Sequence, residues 1–396
     1  MDQHELTTGQ VEIRPPDETA RTAARERQER LTKPSGALGR LEELSVWLSG
    51  VTGQCPPPPI ARPALAIFAG DHGVARTART SAYPPEVTAQ MVANFVAGGA
   101  GATVLARSRG VRVRVVDVSV DVDWAGAGLA VPAEVTRDRI RRGAGSIDFE
   151  DAMTRAEAAS ALALGARIAD ELVDAGADLL IGGDMGIGNT TPSAVLVALL
   201  TDSGAAQVVG RGTGIDDLTW MRKTGAVRDA IRRGRAVSDD PIRLLGAVTG
   251  PDLAAMTGFL LRAAERGTPV LLDGIVSCAC ALLAERIAPG ASAWWQAGHR
   301  STEPASAIAL DALGLEPILD LGLRLGEGSG ALVALPVLTA AGDLLREMAT
   351  FESAGVSDRD VPHRDLDDVD TSRPDADQRD ARQPGGSAEA SSGVAP

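Results

Sequence analysis

The residues best suited to chemistry lie in short glycine-rich segments, each placed between an apolar run and a helical pattern. Five share this grammar: Gly70–Val74 (GDHGV), Gly182–Thr191 (GGDMGIGNTT), Asp273–Gly274, Gly298–Glu303 (GHRSTE) and Gly326–Gly330 (GEGSG). Tight turns after strands are the plainest use of such glycines. Five turns on one sheet edge, carrying Asp, His, Asn, Thr and Glu, instead describe a single ligand cleft.

The run from Asp178 to Pro192 is the most informative. Gly183, Gly186 and Gly188 let backbone approach a ligand closely. Asn189, Thr190 and Thr191 follow, and Pro192 suits a first helical turn. Exposed N–H groups at a helix start, with the helix dipole behind them, form an anion site, and a phosphate is the natural guest. No Lys-Ser/Thr follows the glycines, so this is not a Walker A loop, and Gly-Xaa-Gly-Xaa-Xaa-Gly is absent. The competing reading is a capped helix with no ligand. A second stretch, Gly210–Gly214 (GRGTG), precedes Lys223. Of 39 basic residues only Lys33 and Lys223 are lysine. Lys223 is therefore either a compact charge for an anion or a solvated surface residue. Glu327 stands between two glycines at an expected strand end. A partly buried carboxylate there can act as a general base; a dipole-favoured helix N-terminal Glu is the alternative.

Other candidates carry less chemistry. Asp71-His72 reads as a structural turn with an Asp cap, ahead of a catalytic or metal role. Only four histidines exist, at 4, 72, 299 and 363, and no paired His/Cys cluster surrounds them, so no metal site is expected. Cys278 and Cys280 sit two apart on an expected helix and point in different directions, as core residues do. Trp294-Trp295 reads as core and interface.

These segments need a frame. Apolar runs predict strands at 64–69, 111–120, 178–181, 269–272, 292–296 and 317–321. Helical spacing predicts helices at 38–49, 153–175 and 251–266. Strand alternating with helix predicts an α/β fold with a mostly parallel sheet covered on both faces. Residues 1–30 read as a loose polar arm leading into a helix, and Pro56–Pro59 as a stiff connector. Residues 351–396 hold 11 Asp/Glu against 5 Arg and few large apolar residues, which predicts a disordered tail.

Composition narrows the function. The 396 residues carry a net charge of −14, of which the tail supplies −6. An acidic chain without a Lys/Arg run is a poor partner for nucleic acid or anionic membrane. No uninterrupted apolar stretch of about 18 residues exists, so no transmembrane helix is expected. The N-terminus has no signal-peptide pattern, and three cysteines argue against a disulfide framework, so the cytoplasm is the expected compartment.

Together the motifs resemble the nicotinate-nucleotide–dimethylbenzimidazole phosphoribosyltransferase family. The matching stretches are Leu31–Glu42 (LTKPSGALGRLE), Gly70–Val74, Ser81–Met91 (SAYPPEVTAQM), Gly183–Thr191, Gly210–Gly214, Asp273-Gly274, Gly298–Glu303 and Leu325–Gly330 (LGEGSG). They run in order from about residue 20 to 345, and the acidic tail lies outside them. The resemblance implies a doubly wound, Rossmann-like catalytic domain at 61–335. It also implies a small helical domain from residues 1–60 and 336–350, and a homodimer. The implied reaction moves phosphoribose from nicotinate mononucleotide to 5,6-dimethylbenzimidazole, with no metal or organic cofactor. Glu327 would be the catalytic base. Gly186, Ile187, Gly188, Asn189, Thr190 and Thr191 would hold the 5′-phosphate, with Gly212 and Lys223 beside them. Ser81 and Gln90 would border the benzimidazole pocket. Where the family usually has Glu, this chain has Asp184, a carboxylate shortened by about 1.5 Å; a ribose hydroxyl or the base itself is its expected partner. Two rival readings are a nucleotide- or sugar-phosphate-binding protein without chemistry, and a phosphoryl-transfer enzyme. Glu327 speaks against the first, and the missing Walker A lysine and acidic metal cluster against the second.

Overall fold

The computed structural model describes residues 11–357. All six expected strands form: β1 (Pro63–Gly70), β2 (Arg112–Ser119), β3 (Leu179–Met185), β4 (Val270–Leu272), β5 (Trp295–His299) and β6 (Pro317–Leu319). They make one sheet in the order β2-β1-β3-β4-β5-β6, and every pairing is parallel. All eight residues of β1 are buried, as continuous apolar runs in a doubly covered sheet must be. The expected strand at 292–296 starts later, because Ala291–Trp294 is a turn of 3₁₀ helix.

The principal helices are α1 (Glu18–Arg30), α2 (Arg40–Thr52), α3 (Val87–Ala97), α4 (Gly101–Ser108), α5 (Arg155–Asp174), α6 (Thr190–Thr201), α7 (Asp217–Arg235), α8 (Pro251–Glu265), α9 (Ile275–Ile287), α10 (Pro304–Leu313) and α11 (Ser329–Glu347). Local chemistry sets their ends. Thr154 and Glu157 form a reciprocal capping box on α5, and Pro251 starts α8 with its fixed φ. Alternation along β3 shows that both sheet faces are covered. A Cβ on Gly182 would meet the Met256 sulfur of α8 at 2.4 Å. One on Gly183, pointing the other way, would meet the Glu327 carbonyl just ahead of α11 at 2.4 Å.

The chain ends meet. Arg27 of α1 donates to the Leu345 carbonyl of α11 at 2.6 Å, and Ala24, Leu31 and Leu345 form a small separate apolar cluster. The 13-residue α1 begins within the stretch expected to be loose, with Asp17 capping it. α11 runs unbroken through Pro336, across the expected division at 335. Phe351–Ala354 adds a further helical turn past residue 350. The rest of the expected tail, 358–396, lies outside the described residues.

Two stretches, Val87–Ser108 and Ser329–Glu347, are apolar and long enough by composition to cross a membrane. The first is not one helix: left-handed Gly98 ends α3 three residues before α4 begins. The second packs against the sheet as α11. Cys278 and Cys280 are fully buried in α9, as core residues.

β1 neighbours β2 on one side and β3 on the other, so the chain changes direction across the sheet at the β1/β3 boundary. Crevices for ligands open at the carboxyl ends of strands at such a switch. All five glycine-rich segments of the sequence lie at or beyond that edge.

Candidate active site

A cleft of about 720 Å³ opens at the strand carboxyl ends. Asp184 of β3, His299 of β5, Gly186–Thr190, Gly212, Ser301, Glu303, Ser81 and Glu327 line it. Four of the five glycine-rich segments therefore converge on one cavity; no residue of Gly70–Val74 lines it.

Glu327 sits in the loop ahead of α11, eight residues past β6 and so away from a strand end. Its φ is +64°, between Gly326 at +80° and Gly328 at +84°. Three consecutive left-handed residues make a tight turn, which glycine allows and glutamate tolerates only when held. Packing leaves no room for a side chain at Gly328. A Cβ on Gly328 would lie 2.6 Å from Leu65, and the adjoining backbone fits only because Gly183 has no side chain. Glu327 Oε2 accepts the Ala102 N–H, at the start of α4, at 3.1 Å. Burial pushes the Glu327 carboxyl above its ordinary range. The Ala102 N–H offsets part of this, and the negative charge of Asp273 adds to it.

Asp184 is the last buried residue of β3, so it is a strand residue and not part of a loop. Burial holds its carboxyl well above the ordinary range, and the nearby Asp273, Asp252 and Glu327 charges push the same way. It accepts a short hydrogen bond from the Asn189 side-chain amide. Asn189 thus faces Asp184 and leaves α6 without a side-chain cap.

The loop 186–191 divides in two. The N–H groups of Ile187, Asn189 and Thr191 are engaged within the protein, by Thr88 Oγ1, the Gly186 carbonyl and the Gly188 carbonyl. Thr191 is fully buried and does not line the cleft. Gly186 and Gly188 serve packing as much as access: a Cβ on Gly186 would stand 2.1 Å from the Gly70 carbonyl oxygen, and one on Gly188 2.7 Å from Ala75. Thr190 faces the cavity at the positive end of the α6 dipole.

Lys223 lies one atom behind this wall. Its Nζ donates to Thr190 Oγ1 at 2.8 Å and to the Gly210 carbonyl at 3.4 Å. Only 1% of the residue is exposed. Burial lowers its pKa to about 8, against the opposing pull of Glu303. Glu303 in turn accepts the Gly212 N–H at 2.8 Å, and Arg324 binds the Gly212 carbonyl at 2.6 Å.

Ser81 and Tyr83 face the cavity with Val87 and Met91 of α3, and the Ala82 N–H donates to Thr213 Oγ1 at 3.0 Å, which holds this segment beside the Gly210–Gly214 stretch. Gln90 is exposed and does not line the cleft. One turn of helix separates Val87 from Met91, and that face, not the Gln90 face, is presented to the cavity.

Sequence reasoning gave no individual role to Asp273, His299, Glu303 or Arg324. Asp273 and His299 could have been found, because each closes an apolar strand just ahead of a glycine or helix. Glu303 ends one of the glycine-rich segments, but its hold on Gly212 is long-range, and Arg324 had no local signal. Asp71-His72 forms a buried turn. Asp71 accepts from Thr88 Oγ1 at 2.6 Å and the Asp121 N–H at 2.9 Å. His72 pairs with Asp252 at 3.0 Å; burial is the largest single influence and opposes its positive charge, but Asp252 and Asp71 together keep its pKa raised. Among the described residues, no three His, Cys, Asp or Glu side chains are grouped to hold a metal ion.

Chemically, the cleft offers a helix-start anion subsite backed by a buried amine. The same cleft holds an aliphatic patch, Val87 and Met91, able to take a flat apolar ring, and the Glu327 carboxylate. The DBI_PRT phosphoribosyltransferase family model matches residues 13–356. The chain is 59% identical over 351 residues to the nicotinate-nucleotide–dimethylbenzimidazole phosphoribosyltransferase of Mycobacterium avium (strain 104), which covers 87% of this chain and 97% of that protein. It is 56% identical over 373 residues to the Mycobacterium tuberculosis (strain ATCC 25618 / H37Rv) protein of the same name, 93% and 99% of the two chains. The crystal structure of the Thermus thermophilus protein of that name superposes with a TM-score of 0.79 at 41% identity, covering 86% of this chain and 99% of its own.

Proposed function

The chain belongs to the nicotinate-nucleotide–dimethylbenzimidazole phosphoribosyltransferase family, and we infer from this premise that it is a pentosyltransferase of cobalamin nucleotide-loop assembly. It moves the phosphoribosyl group of nicotinate mononucleotide to 5,6-dimethylbenzimidazole, giving α-ribazole 5′-phosphate and nicotinate.

The observation that carries the mechanism is a carboxylate with a raised pKa held at the edge of a cavity large enough for both substrates. In our reading the donor phosphate occupies the Gly186–Thr190 and Gly212 end. Lys223 adds charge to this end through Thr190. The benzimidazole lies against Ser81 and the α3 face, which takes Gln90 out of direct contact. One ring nitrogen attacks C1′ as Glu327 takes the proton from the other. The C1′–N bond to nicotinate breaks, and the pyridinium leaves as a neutral ring. Attack opposite the leaving group inverts C1′ and gives the α-linked product. A well-placed base contributes about 10²–10⁴-fold to such a step. Asp184, whose carboxyl burial holds well above its ordinary range, lines the same cavity and can hydrogen-bond a ribose hydroxyl.

We also read the protein as cytoplasmic and as a homodimer, with α1, α2 and the end of α11 forming the small domain. Val104, Leu321 and Leu325 are large apolar side chains left exposed for such an interface. The test of the reaction is direct: purified protein, both substrates and a chelator, followed by chromatography. Nicotinate and α-ribazole 5′-phosphate in equal amounts support the assignment; folded protein that releases neither overturns it.

A further inference from the structure

Asp273 follows β4 and is only 1% exposed. Its two oxygens serve three backbone amides. Oδ1 accepts the Gly330 N–H at 2.7 Å and the Ala331 N–H at 3.2 Å, and Oδ2 accepts the Gly328 N–H at 3.1 Å. These amides come directly after Glu327, around the first turn of α11, where a helix has no acceptors of its own. One carboxylate just past a core strand thus ties down the loop that carries Glu327.

The geometry leaves this carboxylate no alternative position. His299 Nε2 stands 3.4 Å from Asp273 Oδ1. A Cβ on Gly330 would overlap the His299 ring at 1.9 Å, so the imidazole, the Asp273 carboxylate and the start of α11 are packed without slack. The Glu327 backbone, meanwhile, holds a left-handed conformation that a non-glycine residue keeps only under outside constraint. The Gly328 N–H bond supplies that constraint from one side, and the Ala102 N–H fixes the side chain from the other.

We propose that Asp273 is a positioning residue for Glu327: by capping the amides of Gly328, Gly330 and Ala331, it aims the Glu327 carboxylate into the cleft without itself touching substrate. This rests on Glu327 being the base. A purely structural helix cap would make the same hydrogen bonds, so the distinction must come from how Glu327 behaves. Two acidic groups face Glu327 from neighbouring elements, Asp273 from the end of β4 and Asp184 from β3. The start of α4 presents the Ala102 N–H. On its own loop, Arg324 is turned to the Gly212 carbonyl. The Asp273 charge raises the Glu327 pKa. Removing it lowers that pKa, so a base that works when deprotonated becomes active at lower pH.

The test is Asp273→Asn in the full chain, with kcat and KM measured across pH beside Glu327→Gln. An amide can accept from one side only and sets an N–H against the Gly328 N–H. The expected result is a fall in kcat of about 10²-fold, the scale of a small misplacement of a reacting group. KM for both substrates stays close to wild type, and the acid limb of the kcat profile moves to lower pH. Wild-type turnover in Glu327→Gln would remove the base assignment itself. An inactive Glu327→Gln beside an Asp273→Asn variant with wild-type kcat and an unmoved acid limb overturns the positioning role alone, even if that variant melts earlier. Amide hydrogen exchange in the wild-type protein keeps the question open to test if the variant does not fold. The Gly328, Gly330 and Ala331 amides are expected to be strongly protected, and exchange at the rate of open backbone contradicts the proposal.

Discussion

Lys223 offers a quantitative test, because its charge is costly where it sits. Its ordinary pKa of 10.5 falls to about 8 in the fold, through burial. At roughly 1.36 kcal/mol for each pH unit, that difference amounts to about 3 kcal/mol. Below about pH 8 both folded and unfolded chains hold the proton, and the fold carries the full cost. Between about 8 and 10.5 the folded protein has released a proton that the unfolded chain keeps, so stability rises with pH. Above 10.5 both forms are neutral and the dependence ends. Lys223→Met removes the titration and keeps most of the side-chain volume. Urea unfolding of both proteins from roughly pH 7 to 11 isolates the effect, since the remaining titrating groups are common to both. The wild type is expected to gain up to about 3 kcal/mol on the variant across that window, with a flat difference below it. Near neutral pH, where the wild type carries that cost, the variant should be at least as stable as the wild type but bind the anionic donor more weakly. A stability difference that does not change with pH would refute the reasoning, because the amine would then not be desolvated.

Two further outcomes follow from the site. Gly186→Ala places a Cβ 2.1 Å from the Gly70 carbonyl, and overpacking of this kind costs about 1–3 kcal/mol. Calorimetry should show a lower Tm, and donor titration a larger Kd with acceptor binding little changed; wild-type values in both would contradict the packing described. The kcat profile of the wild type should lose activity toward acid through a pH above 4.5, the ordinary value for Glu327, because its carboxyl is raised by burial and by Asp273. A limb at or below 4.5 would contradict that electrostatic picture.

Much of the frame could be read from the residues. Runs such as ALAIFA at 64–69 are apolar at every position, which only a strand covered on both faces requires. The convergence of four of the five glycine-rich segments followed from the parallel topology; Gly70–Val74 ends the adjoining strand but turns into buried packing instead. The failures are local and physical. The sequence could not separate a glycine that admits a ligand from one that admits neighbouring backbone, so the packing duties of Gly183 and Gly186 were hidden. Nor could it place Gln90, because Val87 and Met91 make the cleft-facing stripe of α3 as apolar as a core stripe. Lys223 was singled out by composition, but its position behind Thr190 depends on α6 and α7 packing together. The three amides held by Asp273 join residues more than fifty apart in the chain, a relationship no local pattern contains.

The claim on which all of this rests is that Glu327 removes the acceptor proton. Single-turnover measurement of Glu327→Gln, with saturating nicotinate mononucleotide and dimethylbenzimidazole, tests it most directly. The transfer rate should fall by at least about 10²-fold while the donor Kd remains that of the wild type. Transfer at the wild-type rate would contradict it.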